Sequence, residues 1–259
     1  MFRTLPVFGA DQRGVAEVVN NIMNGKTNNT GTVTLATGNA TSTTITDRRI
    51  SADSLILLIP ASAAAYADSA PYGAFQDFTD QSIASTTTAY PMTLNTTDYS
   101  NGVYLSNGSR MNVRNYGIYN LQWSGQFQNS DTVLQDATIW LRKNGTDVTG
   151  SSGVVSVPNS HGGTDGHIIY AWNYLIELQA GDYLELVWSA TSTQVSMQTY
   201  ASGSSPTRPS AASLIATVTY VAPLAASNIY ASSQGQGTAT ISHFANSTAD
   251  KTYRYAIIG

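Results

Sequence analysis

The sequence predicts an all-β protein: an antiparallel sandwich inserted into a small discontinuous β domain, with one short N-terminal helix. Three observations carry that prediction. Between residues 115 and 129, Tyr119, Leu121, Trp123 and Phe127 share one side of an extended chain, with Gly125 among them. Asn120, Gln122, Ser124, Gln126 and Gln128 share the other side, and this period of two gives a strand one dry and one wet face. Further on, Leu184, Leu186 and Trp188 alternate in the same way after a turn at Ala180, Gly181 and Asp182, residue types that bend the backbone and bond to it locally. Apolar strand faces of this kind need a second sheet to cover them. Finally, only 11% of the 259 residues are charged. A surface wetted by hydroxyls and amides suits exposed β-sheet and packed oligomers better than helices.

The composition also excludes function classes. A net charge of −4 leaves no basic stripe for phosphates, so nucleic acid is not expected as a partner. Cysteine is absent, which removes disulfide frameworks and cysteine-based zinc or redox sites. No stretch approaches the ~20 apolar residues of a membrane span, so no membrane insertion is expected. The opening MFRTLPVFGADQ lacks the continuous apolar core of a secretion signal. The expectation is synthesis in a cytoplasm, followed by joining something larger. Asn-x-Ser/Thr triplets, such as those at Asn95 and Asn246, then read as products of composition.

Residues 1–30 are expected to form an extended arm, interrupted by Pro6, and then a helix. Asp11 is placed to cap the helix and Gly25 to end it. Val15, Val18, Val19, Ile22 and Met23 recur at three- and four-residue spacing, as one helical face requires. About three turns are marginal alone in water, so this stripe must dock on its own chain or on a partner protein. Residues 32–36 and 43–46 alternate Thr with aliphatic side chains around Gly38 and Asn39, which predicts a hairpin. LILLI, residues 55–59, is a continuous apolar run stopped by Pro60, which predicts a strand buried on both faces.

At the far end, residues 235–259 repeat a Thr-rich alternation, turn through polar residues, and alternate again at Tyr253, Tyr255 and Ile257. The two ends are expected to close into one domain, 31–74 plus 224–259, around a guest at 75–223. Insertion is tolerated where a guest's own termini lie together. Within the guest, the polar stretch 82–99 is expected to be loop over much of its length. Strands are predicted at 103–105, 111–113, 117–128, 136–143, 154–157, 167–177, 183–189, 195–199 and 214–221. Asn107-Gly108, Asn144-Gly145 and Gly162-Gly163 supply turns between them. Antiparallel strands at this spacing read as a jelly roll or a similar sandwich.

Two resemblances add to this reading. With Gly117 and Tyr119 entering a long strand, and Leu178, Gly181, Asp182, Leu184 and Leu186 in a later turn and strand, the chain resembles the trimeric jelly-roll family of complement-type globular heads and tumour necrosis factors. That resemblance covers about residues 111–221 and implies a homotrimer. The flanks GVAEVVNNIMNGKTNNTGTVTL, ADSLILLIP and GTATISHFANSTADKTYRYAIIG resemble segments of virion structural proteins of tailed bacteriophages, especially short-tailed phages of marine bacteria. This second resemblance implies a virion protein made in the bacterial host cytoplasm, with other virion proteins as partners.

Candidate chemical groups are few. His161, Asp165 and His167 have ligand chemistry, but their glycine-rich spacing gives them no common face, so a polar loop is expected and no metal. His243 reads as a strand-end surface residue. Asp182 and Glu185 have the chemistry of a glycosidase pair but point to opposite sides of a strand begun at Asp182, so Asp182 reads as a turn residue. No nucleophile elbow, phosphate loop or His-Glu-x-x-His occurs. No catalytic residue and no cofactor is therefore expected.

Tyr170, Trp172 and Tyr174 share one face of a strand whose other face carries Ile169, Ala171, Asn173 and Leu175. A strand apolar on both sides has one face in the core and the other against something else. Core packing, a subunit interface and a carbohydrate platform all stay open for the aromatic row. The chain is expected to be a non-enzymatic, trimeric tail or fibre protein that docks through residues 1–30 and the split domain, with a host surface glycan as a further candidate partner. A capsid decoration or head-fibre protein and a carbohydrate-binding lectin are the alternatives, with a hydrolase behind both.

Overall fold

A computed structural model describes residues 9, 11–24, 28–67, 71–222 and 229–259. Most of the expected N-terminal arm, Gly25 and the expected return at 223–227 lie outside the described residues. The chain opens with helix α1 (Gln12–Met23), strands β1 (Thr30–Thr34), β2 (Ala40–Thr46) and β3 (Leu55–Pro60), and a short helix α2 (Ala63–Ala67). Strands β4 (Tyr72–Asp77), β5 (Gln81–Ser82), β6 (Tyr90–Pro91), β7 (Thr96–Asn101), β8 (Val103–Ser106) and β9 (Arg110–Val113) follow. The long middle section holds β10 (Gly117–Asn129), β11 (Gln135–Lys143), β12 (Thr146–Asp147), β13 (Gly153–Val157), β14 (Gly166–Leu178) and β15 (Tyr183–Ala190). After them come β16 (Val195–Met197), β17 (Gly203–Ser204), β18 (Thr207–Arg208), β19 (Leu214–Ala222), β20 (Ile229–Gly235), β21 (Thr238–Asn246) and β22 (Thr252–Ile258). All the sheet pairings are antiparallel, and the chain divides into two compact units, residues 1–66 with 228–259, and residues 67–227.

The terminal unit has two three-stranded sheets, ordered β1-β22-β3 and β2-β21-β20. Tyr253, Tyr255 and Ile257 point inward from β22, and Tyr255 and Ile257 pack with Ile45, Ile50, Ala239 and Ile241. Opposite Tyr255 stands Gly31, where a Cβ would lie 2.2 Å from the tyrosine ring, so the ring lies over the glycine.

Two expectations for this unit are corrected. The 32–36 and 43–46 segments do not form a hairpin with each other: β1 pairs with β22 and β2 with β21, in different sheets. Gly38 and Asn39, both at positive φ, carry the chain between the sheets, and the buried Asn246 amide ties that corner by donating to the carbonyls of Leu35 and Ala36. Nor is β3 buried on both faces. It lies at the edge of a three-stranded sheet, where Ile56 and Leu58 pack inward and Leu55, Leu57 and Ile59 stay exposed. A small sheet covered on one side leaves one face of a fully apolar strand in solvent.

Asp47 anchors the loop after β2. Its carboxylate accepts from the Arg49 guanidinium, from the Arg49 backbone N–H at 3.0 Å and from the Tyr255 hydroxyl at 2.9 Å. These bonds, Arg49's first, hold the carboxyl well below the usual carboxylate range against the opposing effect of burial. A depressed folded value contributes stability that is complete above the unfolded carboxylate value of about 4 and is lost as pH falls through the folded value. Asp47→Asn is expected to flatten the acid limb of unfolding of the terminal unit below about pH 4, read from tyrosine circular dichroism. An acid limb identical to wild type would contradict this role.

The unit of residues 67–227 is a sandwich of two seven-stranded sheets. One runs β5-β16-β10-β19-β4-β7 with β14 on the free side of β10; the other runs β12-β11-β15-β9-β8 with β13 on β11 and β6 on β15. The alternation that predicted β10 holds along all 13 residues, with its odd-numbered positions buried. Tyr119, Leu121, Trp123 and Phe127 from β10 meet Ile139 and Leu141 from β11 and Leu184, Leu186 and Trp188 from β15 in one core. The turn dipeptides work as their chemistry requires: Asn107, Gly108, Asn144 and Gly145 all take positive φ, which Asn and Gly tolerate best.

Two further placements differ from expectation. The unit starts ahead of residue 75, because β4 begins at Tyr72 and pairs with β19 along its length. His243 lies inside β21 rather than at its end: its Nε2 meets the Thr43 hydroxyl at 2.8 Å and its Nδ1 the Phe244 carbonyl at 2.7 Å. The 82–99 stretch is largely irregular, holding the end of β5, the two-residue β6 and most of β7.

Candidate functional site

β14 is the longest edge in residues 67–227. It pairs with β10 over all 13 residues, from Gly117 opposite Leu178 to Asn129 opposite Gly166. Its even-numbered side chains face the sandwich. Tyr170 meets Trp123 edge-on at 5.6 Å between centroids, Trp172 stacks on Tyr174 at 5.8 Å, and the Tyr174 hydroxyl donates to the Ser151 carbonyl. Burial pushes the phenols of Tyr170 and Tyr174 up. The row closes the rim of the sandwich against β13, where only glycine fits: a Cβ on Gly153 would lie 2.1 Å from the Trp172 ring. Trp172 remains 42% exposed at that rim.

Gly153→Val is therefore expected to push Trp172 and Tyr170 outward at a cost of about 1–3 kcal/mol. The near-ultraviolet circular dichroism of the stacked Trp172 and Tyr174 should fall with it, and an unchanged spectrum would contradict the packing.

The other face of β14 is the open one. Ile169 and Leu175 are each 66% exposed, with Ala171 and Asn173 between them. Sequence reasoning singled out the aromatic row, yet the aliphatic row meets solvent more fully. The signal for this was present in the strand's double apolar character; what decided it was which face β13 covers.

His161, Asp165 and His167 do not gather into a site. His167 Nδ1 meets the Tyr200 hydroxyl at 2.9 Å, and Asp165 accepts from Gln128 Nε2 at 2.7 Å, while His161 sits exposed on its turn. No group of three metal-ligating side chains occurs among the described residues. Tyr200 was not foreseen as a functional residue. With Gln126, Phe127, His167, Ile168 and Ile169 it lines an open depression of about 300 Å³. A second depression, of about 360 Å³, lies beside Trp140, whose indole N–H donates to Asp147 at 2.9 Å.

The carboxylate pair is likewise spent on structure. Asp182 accepts from Lys143 Nζ at 2.8 Å, Asn144 Nδ2 at 2.6 Å and the Gln179 backbone N–H at 2.8 Å. Burial alone would raise its carboxyl, and these bonds overcome that and hold it low. Glu185, also buried, accepts from the Ser109 hydroxyl at 2.7 Å and Arg110 Nε at 3.4 Å.

In the terminal unit, α1 forms as its cap requires, with the Gly14 N–H donating to the Asp11 carboxylate. Its apolar stripe is open: Val15, Val19, Ile22 and Met23 are exposed and Val18 is half-buried. Leu55, Leu57 and Ile59 of β3, with Ile258 opposite Leu55 on β22, form a second exposed aliphatic row. Comparison with known proteins returned no matching family model and no matching curated protein.

Proposed function

We propose that this chain is a non-enzymatic structural component of a tailed-bacteriophage particle, a homotrimeric tail or fibre protein that docks on other virion proteins through its terminal unit. The observation that carries the reading is the aliphatic exposure of that unit, on the α1 stripe and separately on the outer side of β3, because exposed apolar rows of this chemistry are stable when a partner covers them. Asp182, Glu185 and His167 bonded into structural contacts support a non-enzymatic role. The sandwich is read as a jelly roll. In its support, β10 lies between β14 and β19, and β15 between β11 and β9, neighbours that require long connections across the ends of the sheets.

The test uses Val19→Asp with Ile22→Asp, two exposed positions, with tyrosine circular dichroism as the check that the terminal unit still folds. Purified particles should carry the wild-type chain and lack the variant. A variant incorporated at the wild-type level, or a wild-type chain absent from particles, would overturn the reading. Sedimentation equilibrium giving a stable single-chain mass would remove the homotrimer.

A glycan-binding role is the second reading, favoured by the depression in which Tyr200 and His167 present an aromatic face beside Gln126. Binding on a glycan array that Tyr200→Ala abolishes would support it, and a blank array would remove it. If the docking surface proves to face the capsid shell, the chain becomes a decoration or head-fibre protein.

A further inference from the structure

The free side of β14 has no partner strand among the described residues, although the strand is 13 residues long and runs in unbroken register with β10. Proteins usually blunt such an edge with charge, proline or a bulge, because its unpaired N–H and C=O groups template pairing with another chain. β14 has none of these between Ile168 and Ile176. The edge strand β7 of the same sheet, by contrast, carries Asp98 and faces a register shift in its pairing with β4.

The sequence of β14 is also chemically symmetric about Trp172. Counting outward, Tyr170 matches Tyr174, Ile169 matches Leu175 and Ile168 matches Ile176, His167 stands against the complementary Glu177, and only Ala171 and Asn173 differ in kind. An antiparallel pairing of two copies about a twofold axis at Trp172 sets each of these residues opposite its match. On the outer face it joins the two most exposed aliphatic side chains of the strand, Ile169 and Leu175, at both ends. Beyond each such pair an imidazole faces a carboxylate.

The alternatives are worse. Opposed residues must lie on the same face of a sheet, so a shift that sets an even-numbered residue against an odd-numbered one is forbidden. Centring on Ala171 sets Leu175 against His167 and Ile169 against Asn173. Centring on Asn173 sets Ile169 against Glu177. Of these three registers, the one centred on Trp172 matches the strand best.

We propose that β14 is a self-complementary seam that joins two copies of this chain antiparallel, Trp172 opposite Trp172, into one continuous sheet. An isologous contact of this kind closes on itself and joins copies in pairs. It is distinct from any threefold association and independent of where in a particle the chain sits, which is tested by particle content.

The absence of cysteine makes a clean test. Ile169→Cys and Leu175→Cys are made separately, then mixed and treated with a short bismaleimide. A two-chain product is expected in the mixture and in neither variant alone, because two copies of residue 169 would lie about 20 Å apart along the seam. Peptide mapping should place the link between 169 and 175. As a second readout, Glu177→Lys should weaken pairing at least tenfold in sedimentation, with His167→Glu on that background restoring it. Tryptophan fluorescence controls for the fold in every variant.

Equal linking in the single-variant samples, no link in the mixture, or pairing that the Glu177→Lys change leaves untouched would each overturn the proposal. So would a β14 edge that resists self-pairing yet captures an extended peptide of another protein.

Discussion

Phe127→Ala is expected to destabilise the sandwich of residues 67–227 by about 3–5 kcal/mol. Phe127 is 1% exposed and meets Trp188 edge-on at 5.8 Å, so its ring bridges β10 in one sheet and β15 in the other. The neighbouring strands add to its enclosure: β16 sets Met197 directly opposite Phe127, and a Cβ added at Gly125 would lie 3.1 Å from the ring. Truncation leaves a cavity between two hydrogen-bonded sheets, whose backbones cannot collapse inward without breaking their ladders. The measurement is direct because all four tryptophans, Trp123, Trp140, Trp172 and Trp188, lie in this unit. The denaturant midpoint by tryptophan fluorescence should fall sharply. A shift worth less than about 1 kcal/mol would contradict a rigid core at this position.

Asn246→Leu is expected to be the most damaging single change in the terminal unit. The side chain is fully buried, and its amide donates to the carbonyls of Leu35 at 3.2 Å, Ala36 at 3.1 Å and Thr248 at 2.8 Å. Its own oxygen accepts from the Thr248 backbone N–H at 3.4 Å. Leucine has similar bulk but no polar atom, so these backbone groups lose their shared partner where water does not easily replace it, at about 1–3 kcal/mol for each group left unsatisfied. The corner between β1 and β2 and the turn between β21 and β22 should loosen together. Hydrogen exchange should show lost protection at residues 30–46 and 238–258, while the tryptophan transition of the sandwich stays in place. Protection equal to wild type would contradict the role of this amide.

These two residues mark how far the sequence could be read. Phe127 was legible because it belongs to a run in which every second residue is apolar over two-thirds of a long strand. A period of two fixes which side chains share a face, whatever the neighbours are. Asn246 was not legible. In sequence it is one Asn in a polar turn, and it gained its importance when the chain brought residues 35 and 36 to within hydrogen-bond distance of it.

The same contrast holds at the candidate sites. The α1 stripe was visible as spacing, as was the aromatic row of β14. Which of them meets water is a matter of tertiary neighbours. Tyr170, Trp172 and Tyr174 are drawn toward β13 because Gly153 leaves room for them, and the aliphatic row on the reverse of β14 is left exposed as a result.

The strand periods, the turns at Asn107 and Asn144, the cap of α1 and the alternation of Tyr253, Tyr255 and Ile257 could be read without any tertiary contact. All are local consequences of side-chain direction and backbone sterics. Long-range pairing sets β1 and β2 in different sheets, leaves one apolar face of β3 in solvent and makes β14 the end of its sheet among the described residues. Those outcomes depend on pairing between distant segments, such as Thr30 of β1 with Ala256 of β22, and alternation along a strand carries no information about which distant strand will lie beside it.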